Sequence, residues 1–280
     1  MKVPLHIVLA RRDRLEELVK THRYLPIKDL CERLGVSEAT VRRDLAALEQ
    51  DGRLTRTYGG ALSDYDARFP SFGDRQRQNA AEKQLIAHAA LSAIRPGMTC
   101  FFDSGTTIFA ISEILARNPI FPLTIVTSNL PVAEHLAPVA EIPVFLTGGQ
   151  LFPRQSVLLG DAACKSIESW SFDLAFLSAE GLDSEGLWNS QEAIVQLQKT
   201  VVRRSDCAVF CLDRSKLGKS APQLLLPSRH VETLLTNGTL EDLTKLEIPT
   251  PKVFWQAKDS LPPDLTLPAE ESSDLPVHFL

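Results

Sequence analysis

The sequence predicts an α/β protein in two parts, an N-terminal winged helix-turn-helix followed by a larger, doubly wound domain around a mostly parallel sheet. Three observations lead there. A basic stretch with a helix-capping start, SEATVRRD from Ser37 to Asp44, follows a tight turn at Gly35. From about residue 79 onward, short apolar runs alternate with helical stretches, the pattern of strands joined by crossover helices. Each apolar run is followed directly by small, polar or glycine residues, which in a parallel sheet all fall on one edge.

The 280 residues suffice for one small and one larger domain, and 44% hydrophobic with 23% charged residues is ordinary for a soluble globular chain. No apolar run approaches the roughly 18 to 20 residues that span a bilayer. The opening VPLHIVLA is short and runs into Arg11, Arg12 and Asp13, unlike a signal peptide. A cytoplasmic protein without a membrane partner is the expectation. Five scattered cysteines with no Cys-x-x-Cys pair read as reduced, mostly buried thiols, and no metal or cofactor is expected. The net charge of −5 is unevenly divided: residues 1–62 hold 12 Lys/Arg against 9 Asp/Glu, and the remainder is acidic. A mildly basic module on an acidic body suits nucleic-acid contact confined to one end.

Within that module, RRDRLEELVK (11–20) reads as a helix and Thr21 to Pro26 as a break. Pro26 then opens a second helix whose Ile27, Leu30, Cys31 and Leu34 share one face, and Gly35 closes it. Ser37 is a good N-cap for a third helix, and Glu38 suits its first turn. Val41, Leu45 and Leu48 point inward. Arg43, Ala39 and Ala46 lie opposite, flanked by Thr40 and Arg42, a surface small enough to approach a groove and equipped to reach guanine, thymine methyl or phosphate. RLTRTYGGA then reads as a short β-hairpin wing with Arg53 and Arg56 toward phosphate. Short helix pairs with surface arginines are common, so spacing alone leaves the choice between DNA contact and plain surface open.

The run LCERLGVSEATVRRDLAALEQDGRLTRTYGGA resembles the N-terminal signature of the DeoR family of bacterial regulators, with Tyr58 where the family usually has histidine. The resemblance implies a double-stranded DNA operator as partner, with Ser37 opening the recognition helix and Thr40, Arg42 and Arg43 as base and phosphate contacts. Asp44 is expected to brace a neighbouring arginine instead.

Residues 63–78, broken by Pro70 and Gly73, read as a linker between a module at 8–62 and a domain at 79–255; 256–280, rich in Pro, Asp, Glu and Ser, reads as a disordered tail. In the larger domain, NAAEKQLIAHAALSAI is a helix with Leu85, Ile86, Ala89, Ala90, Ala93 and Ile94 inward. TCFF, LTIVT, PVFLT, DLAFL and CAVFCL are strands, with a further one in HVETLLTN. The loops behind them carry Ser104-Gly105-Thr106-Thr107, Ser128-Asn129, Gly148-Gly149, Ser178 to Asp183 and Asp213 to Lys216. Ser104 to Thr107 before a helix is a candidate phosphate cradle, and Lys216 a candidate counter-charge. Taken singly, an Asp-Ser-Gly-Thr run is more often a plain capped turn, Gly148-Gly149 reads as a turn and Lys216 as a solvated lysine; their convergence on one edge is what points to a pocket.

Here too the chain is similar to the DeoR family, through Glu82-Lys83, DSGTT, Thr127-Ser128-Asn129, LTGG at 146–149, Gly160, FLSAEGLD and DRSKLG. Its effector domain is related in fold to sugar-phosphate isomerases. The resemblance implies a phosphorylated sugar or polyol as effector. Asp103, Ser104, Gly105, Thr106 and Thr107 would hold its phosphate, and Ser128, Asn129, Gly148, Gly149 and Lys216 would complete the pocket. Ser178-Ala179-Glu180 departs from the family's glycine-rich run, and Arg154 is an extra anion contact to examine. The expected function is a sequence-specific repressor of sugar-metabolism genes, acting as a homo-oligomer, dimer or tetramer, because one short helix reads too few bases. The alternative is a sugar-phosphate isomerase-like enzyme fused to a DNA-binding module, with Asp103, Glu180, Asp183, Asp213 and Lys216 as acid–base candidates. No nucleophile motif supports that chemistry, so a non-enzyme is expected.

Overall fold

The computed structural model describes residues 5–22, 24–50, 54–56, 60–62 and 70–258. The N-terminal part packs three helices, α1 (Leu5–His22), α2 (Ile27–Leu34) and α3 (Glu38–Gln50), against a three-stranded antiparallel sheet of β1 (Tyr24–Pro26), β2 (Thr55–Arg56) and β3 (Gly60–Leu62). The break expected at 21–26 thus supplies a strand, and the wing gains a third member. Leu15, Val19, Leu30, Val41, Leu45 and Leu48 close the core, the helical spacing read from the sequence. Gly35 takes the left-handed conformation at φ 63° and returns its N–H to the Cys31 carbonyl, which ends α2 and sets the angle to α3. Asp44 points inward from α3 and is 1% exposed; its two oxygens accept from Arg11 Nε at 2.6 Å and Arg12 Nε at 3.1 Å, locking α1 to α3.

The larger part begins with α4 (Phe72–Arg77) and α5 (Ala80–Leu91). Seven parallel strands follow in the order β15-β14-β12-β9-β4-β5-β6: β4 (Thr99–Phe102), β5 (Thr124–Thr127), β6 (Val144–Leu146), β9 (Phe172–Leu177), β12 (Ser205–Leu212), β14 (Thr233–Thr236) and β15 (Val253–Gln256). Both faces are covered. Helices α5, α6 (Thr106–Arg117) and α7 (Leu130–Leu136) pack against Cys100, Phe102 and Phe176 on one side. Helices α8 (Asp161–Glu168), α9 (Glu192–Arg203) and α10 (Leu240–Lys245) pack against Phe101, Ala175 and Phe210 on the other. Strands buried on two faces read as unbroken apolar runs, which is why TCFF, DLAFL and CAVFCL stood out.

Two small elements give no pattern in the sequence: the hairpin β7 (Gln150–Phe152)–β8 (Val157–Leu159), and the antiparallel sheet of β10 (Gly181–Leu182), β11 (Gly186–Asn189) and β13 (Gln223–Pro227). Their strands of two to five residues are too short to show a period. The segment expected as linker carries α4, started by Ser71, whose hydroxyl accepts from Asp74 N–H at 3.2 Å, and anchored by buried Phe72. In α5, Leu85 faces outward at 53% exposure and Lys83 is buried in its place, so the expected inward set is corrected at that position. All five cysteines are free; burial pushes the thiols of Cys100 and Cys211 well up and that of Cys207 to about 11. Most of the expected tail, from 259 onward, lies outside the described residues.

Removing the carboxylate at position 44 leaves two guanidinium groups without their shared acceptor. Asp44→Ala is expected to destabilise the N-terminal module by about 1–3 kcal/mol, read by urea unfolding. A loss under ~0.5 kcal/mol, the ordinary range for a surface substitution, would mean the pair does not lock the helices.

Candidate functional site

Helix α3 turns Ser37, Glu38, Ala39, Arg42 and Arg43 outward, with Thr40 half-buried at their edge. The Ser37 carbonyl accepts from the N–H groups of Thr40 and Val41, and its hydroxyl meets that of Thr40 at 3.0 Å, so the first turn is rigid. Arg42 pairs with Glu38 one turn back at 2.6 Å. Both side chains are more than half exposed, and such a pair contributes only about 0.3–0.5 kcal/mol, little enough for a phosphate to displace it. Arg56 lies on β2; Arg53 falls outside the described residues, as does Tyr58.

A cavity of about 360 Å³ opens over the carboxyl ends of β4, β9 and β12, three neighbouring strands at the centre of the sheet. The expected residues Ser104, Gly105, Thr106, Thr107 and Lys216 line it. Gly105 is the N-cap of α6 and has no side-chain cap, so the helix's first N–H groups and its positive dipole end face the cavity. Glycine at 105 answers a close approach: a Cβ there would stand 2.3 Å from Ser178 Oγ, so any larger residue forces the loops after β4 and β9 apart.

Opposite the cradle, Lys83 projects from α5. Its ammonium donates to the carbonyls of Arg75 and Gln78, the latter at 2.5 Å. Burial lowers its pKa to about 8; nearby Asp213 opposes that shift, and Lys216 and Arg75 reinforce it. Arg75 and Lys219 also line the cavity, giving four basic residues around one uncapped helix start.

Beneath the cavity runs a chain of buried polar contacts. Asp103, 1% exposed, accepts from the Ser178 N–H and hydroxyl, both at 2.9 Å, and from Gln198 Nε2 at 2.7 Å. Gln198 accepts in turn from Asn189 Nδ2 at 2.6 Å, and Asn189 Oδ1 from the Glu180 N–H at 3.1 Å. Glu180 holds Ser190 through its N–H and hydroxyl. Asp213 accepts from Asn79 Nδ2 and the Ser215 N–H, both at 3.0 Å. Asp183 closes the β10–β11 turn by accepting from the N–H groups of Glu185 and Gly186 and from Trp188 Nε1.

Asp103 therefore sits beneath the cradle, outside the cavity lining. Ser128, Asn129, Gly148 and Gly149 are not brought to the cavity either. The chain after β6 folds back as the β7–β8 hairpin over the end of β5: Leu158 N–H binds the Ser128 carbonyl at 2.8 Å, and Leu130 N–H the Ser156 carbonyl at 3.0 Å. Asn129 is fully buried and caps α7 through Val132 N–H, while Gly149 packs against the Leu159 carbonyl where no Cβ would fit. Arg154 is absent from the lining; its neighbour Gln155 is present. The sequence alone does not single out Asn79 and Gln198 as positioning residues, and places Ser178 only as part of a strand-end loop. A lone Gln inside a helix gives no signal, whereas the polar start of α5 beside Glu82-Lys83 was a usable one.

Comparison with known proteins gives two family matches. The model of the DeoR-like helix-turn-helix domain matches residues 11–66, and that of the DeoR C terminal sensor domain residues 78–238. The HTH-type transcriptional regulator GlpR of Haloferax volcanii is 32% identical over 240 residues, covering 85% of this chain and 93% of that protein. The glycerol-3-phosphate regulon repressor of Escherichia coli K12 is 32% identical over 212 residues, covering 75% and 83%. The HTH-type transcriptional regulator GolR of Listeria innocua is 29% identical over 232 residues, covering 82% and 91%. Among solved structures, ribose 5-phosphate isomerase A from Methanocaldococcus jannaschii aligns with 50% of this chain and 55% of its own at TM-score 0.36 and 16% identity.

The buried lysine supplies a test of its own. Its folded pKa of about 8 lies below its ordinary 10.5, so between those values the unfolded chain holds more protons and stability rises with pH. Across pH 8–10 the unfolding free energy of the wild type should climb relative to Lys83→Met, by at most about 1.4 kcal/mol per pH unit. A flat or falling difference in chemical denaturation would show that Lys83 is not held against its charge.

Proposed function

This chain belongs to the DeoR family of transcriptional regulators, and from that premise we propose that it represses genes of sugar or polyol metabolism under the control of a phosphorylated sugar or polyol bound in the 360 Å³ cavity. As a member of a family of DNA-binding regulators it is not an enzyme, and the isomerase alternative is set aside.

The observation that carries the effector reading is the uncapped start of α6, residues 104–107, opening into a cavity bordered by Lys83, Lys216, Lys219 and Arg75. A helix N-terminus presents convergent N–H donors and about half a positive charge, and flanking ammonium groups complete a site for a dianion. The volume lies at the small end of ligand pockets, which suits a short sugar or polyol over a nucleotide. The hydroxyls of Ser104, Thr106 and Thr107 and the amides of Gln78, Asn79 and Asn189 supply partners for sugar hydroxyls. The name of the Escherichia coli relative, a glycerol-3-phosphate regulon repressor, is in keeping with that ligand class. In this reading Asp103, Ser128, Asn129, Gly148 and Gly149 shape the loops around the ligand, and Ser104 to Thr107 with Lys216 touch it.

For DNA, the reading places α3 in the major groove, with Thr40 and Arg43 toward base edges and Ser37, Arg42, Arg53 and Arg56 toward phosphate. Paired modules of a homo-oligomer would read half-sites about 34 Å apart or a multiple of it.

Arg43→Ala is expected to weaken specific operator binding by ~1–3 kcal/mol in a gel-shift titration, and wild-type affinity would reject the assignment. Lys216→Ala is expected to keep operator affinity while weakening the response to the effector about tenfold, the loss of one charge-assisted contact. Lost operator binding in that variant would mean that Lys216 serves the fold.

A further inference from the structure

Helix α4 is the first described element after the DNA-reading module, separated from the end of β3 by residues 63–71. Nine residues reach at most about 32 Å, so the direction in which α4 points limits where the module can sit. Its one buried residue is Phe72, whose ring meets the edge of Phe109 of α6 at 5.5 Å and whose N–H binds the Arg154 carbonyl at 2.9 Å. The rest of its sequence, GDRQR, is polar or glycine.

The Arg75 guanidinium lies over the same Phe72 ring at 5.7 Å, and the contacts at the carboxyl end of the elbow are polar and border the cavity. The carboxyl end of α4 is fastened by the Lys83 ammonium, which holds the Arg75 and Gln78 carbonyls. Asn79, in the left-handed conformation at φ 51°, joins α4 to α5 and reaches Asp213 Oδ1 at 3.0 Å and Ser215 Oγ at 2.8 Å. Pro70, Arg75, Gln78 and Asn79 line the same cavity as the Ser104–Thr107 cradle. An anion seated there competes with backbone carbonyls for Lys83 and draws the Arg75 guanidinium, while Phe72 stays fixed on α6.

We infer that the α4–α5 elbow, residues 70–83, is the element by which effector occupancy acts on the DNA-reading module, with Arg75 as a further ligand of the effector's anionic group. This rests on the cavity being the effector site. The physical content is one of linkage: a ligand that contacts the elbow differently in two positions shifts their populations, and the short connection carries that shift to the module.

Hydrogen–deuterium exchange on the full-length protein tests it, using glycerol 3-phosphate and a set of pentose and hexose phosphates, with inorganic phosphate alongside. The compound that most raises the melting temperature should slow amide exchange about fivefold or more both at 104–108 and at 72–79. Slowing at 104–108 with 72–79 unchanged overturns the inference and leaves the effector reading standing; no slowing at 104–108 with any compound overturns both. As a second arm, Phe72→Leu, which alters the anchor beneath the Arg75 guanidinium and leaves Ser104 to Thr107 in place, should keep protection at 104–108 while the effector's influence on operator affinity shrinks about fivefold or more. An undiminished influence in that variant also overturns the inference.

Discussion

The buried carboxylate of Asp103 is the point on which the sensor domain turns. It stands at the end of β4 and accepts from the backbone and hydroxyl of Ser178 at the end of β9 and from Gln198 of α9. Neighbouring parallel strands fix one another's bodies through their ladders, but nothing in a ladder fixes the loops beyond. Three hydrogen bonds to one charged acceptor do so, and buried charge-assisted contacts of this kind are strong and intolerant of a missing partner. Because the two loops are drawn so close, position 105 admits no Cβ, and because they are held there, the first turn of α6 faces open volume.

The N-terminal module uses the same device on a smaller scale. Asp44 stands in the middle of the helix expected to read DNA, amid arginines, yet faces inward and holds Arg11 and Arg12 of another helix. An acidic side chain on the outer face would oppose DNA phosphates; turned inward it fixes how α3 is presented. In both domains a buried carboxylate holds together the elements that carry the candidate binding groups, and neither carboxylate is itself exposed.

Most of this fold was legible because buried parallel strands and capped helices write strong local patterns. Val41, Leu45 and Leu48 on α3 and the strands TCFF and CAVFCL emerge from periodicity and capping alone, and the position of Ser104 to Thr107 at a strand end before a helix follows from the same alternation. Of the candidate site, the sequence indicates which residues line the cavity only in part. Every strand-end loop was expected to converge on one pocket, but the hairpin after β6 covers the end of β5, so that Ser128, Asn129, Gly148 and Gly149 lie outside the cavity lining and Asn129 caps α7. That hairpin's strands are three residues each, below the length at which alternation can be seen. Leu85 faces outward, against an expectation that rests on composition favouring the leucine inside, while the carbonyls of Arg75 and Gln78 and the polar cavity make a buried place for Lys83.

The strand order has a consequence for how the molecule comes into being. The cavity lies over β4, β9 and β12, and joining β4 to β9 closes a loop of roughly seventy residues, with β12 still later in the chain. Contacts that distant form slowly, because the entropy of closure is lost before any pairing repays it. The helix-turn-helix assembles from near neighbours and emerges first from the ribosome. The order of synthesis and the topology of the sheet therefore run in the same direction: the part that reads DNA is ready before the part that listens.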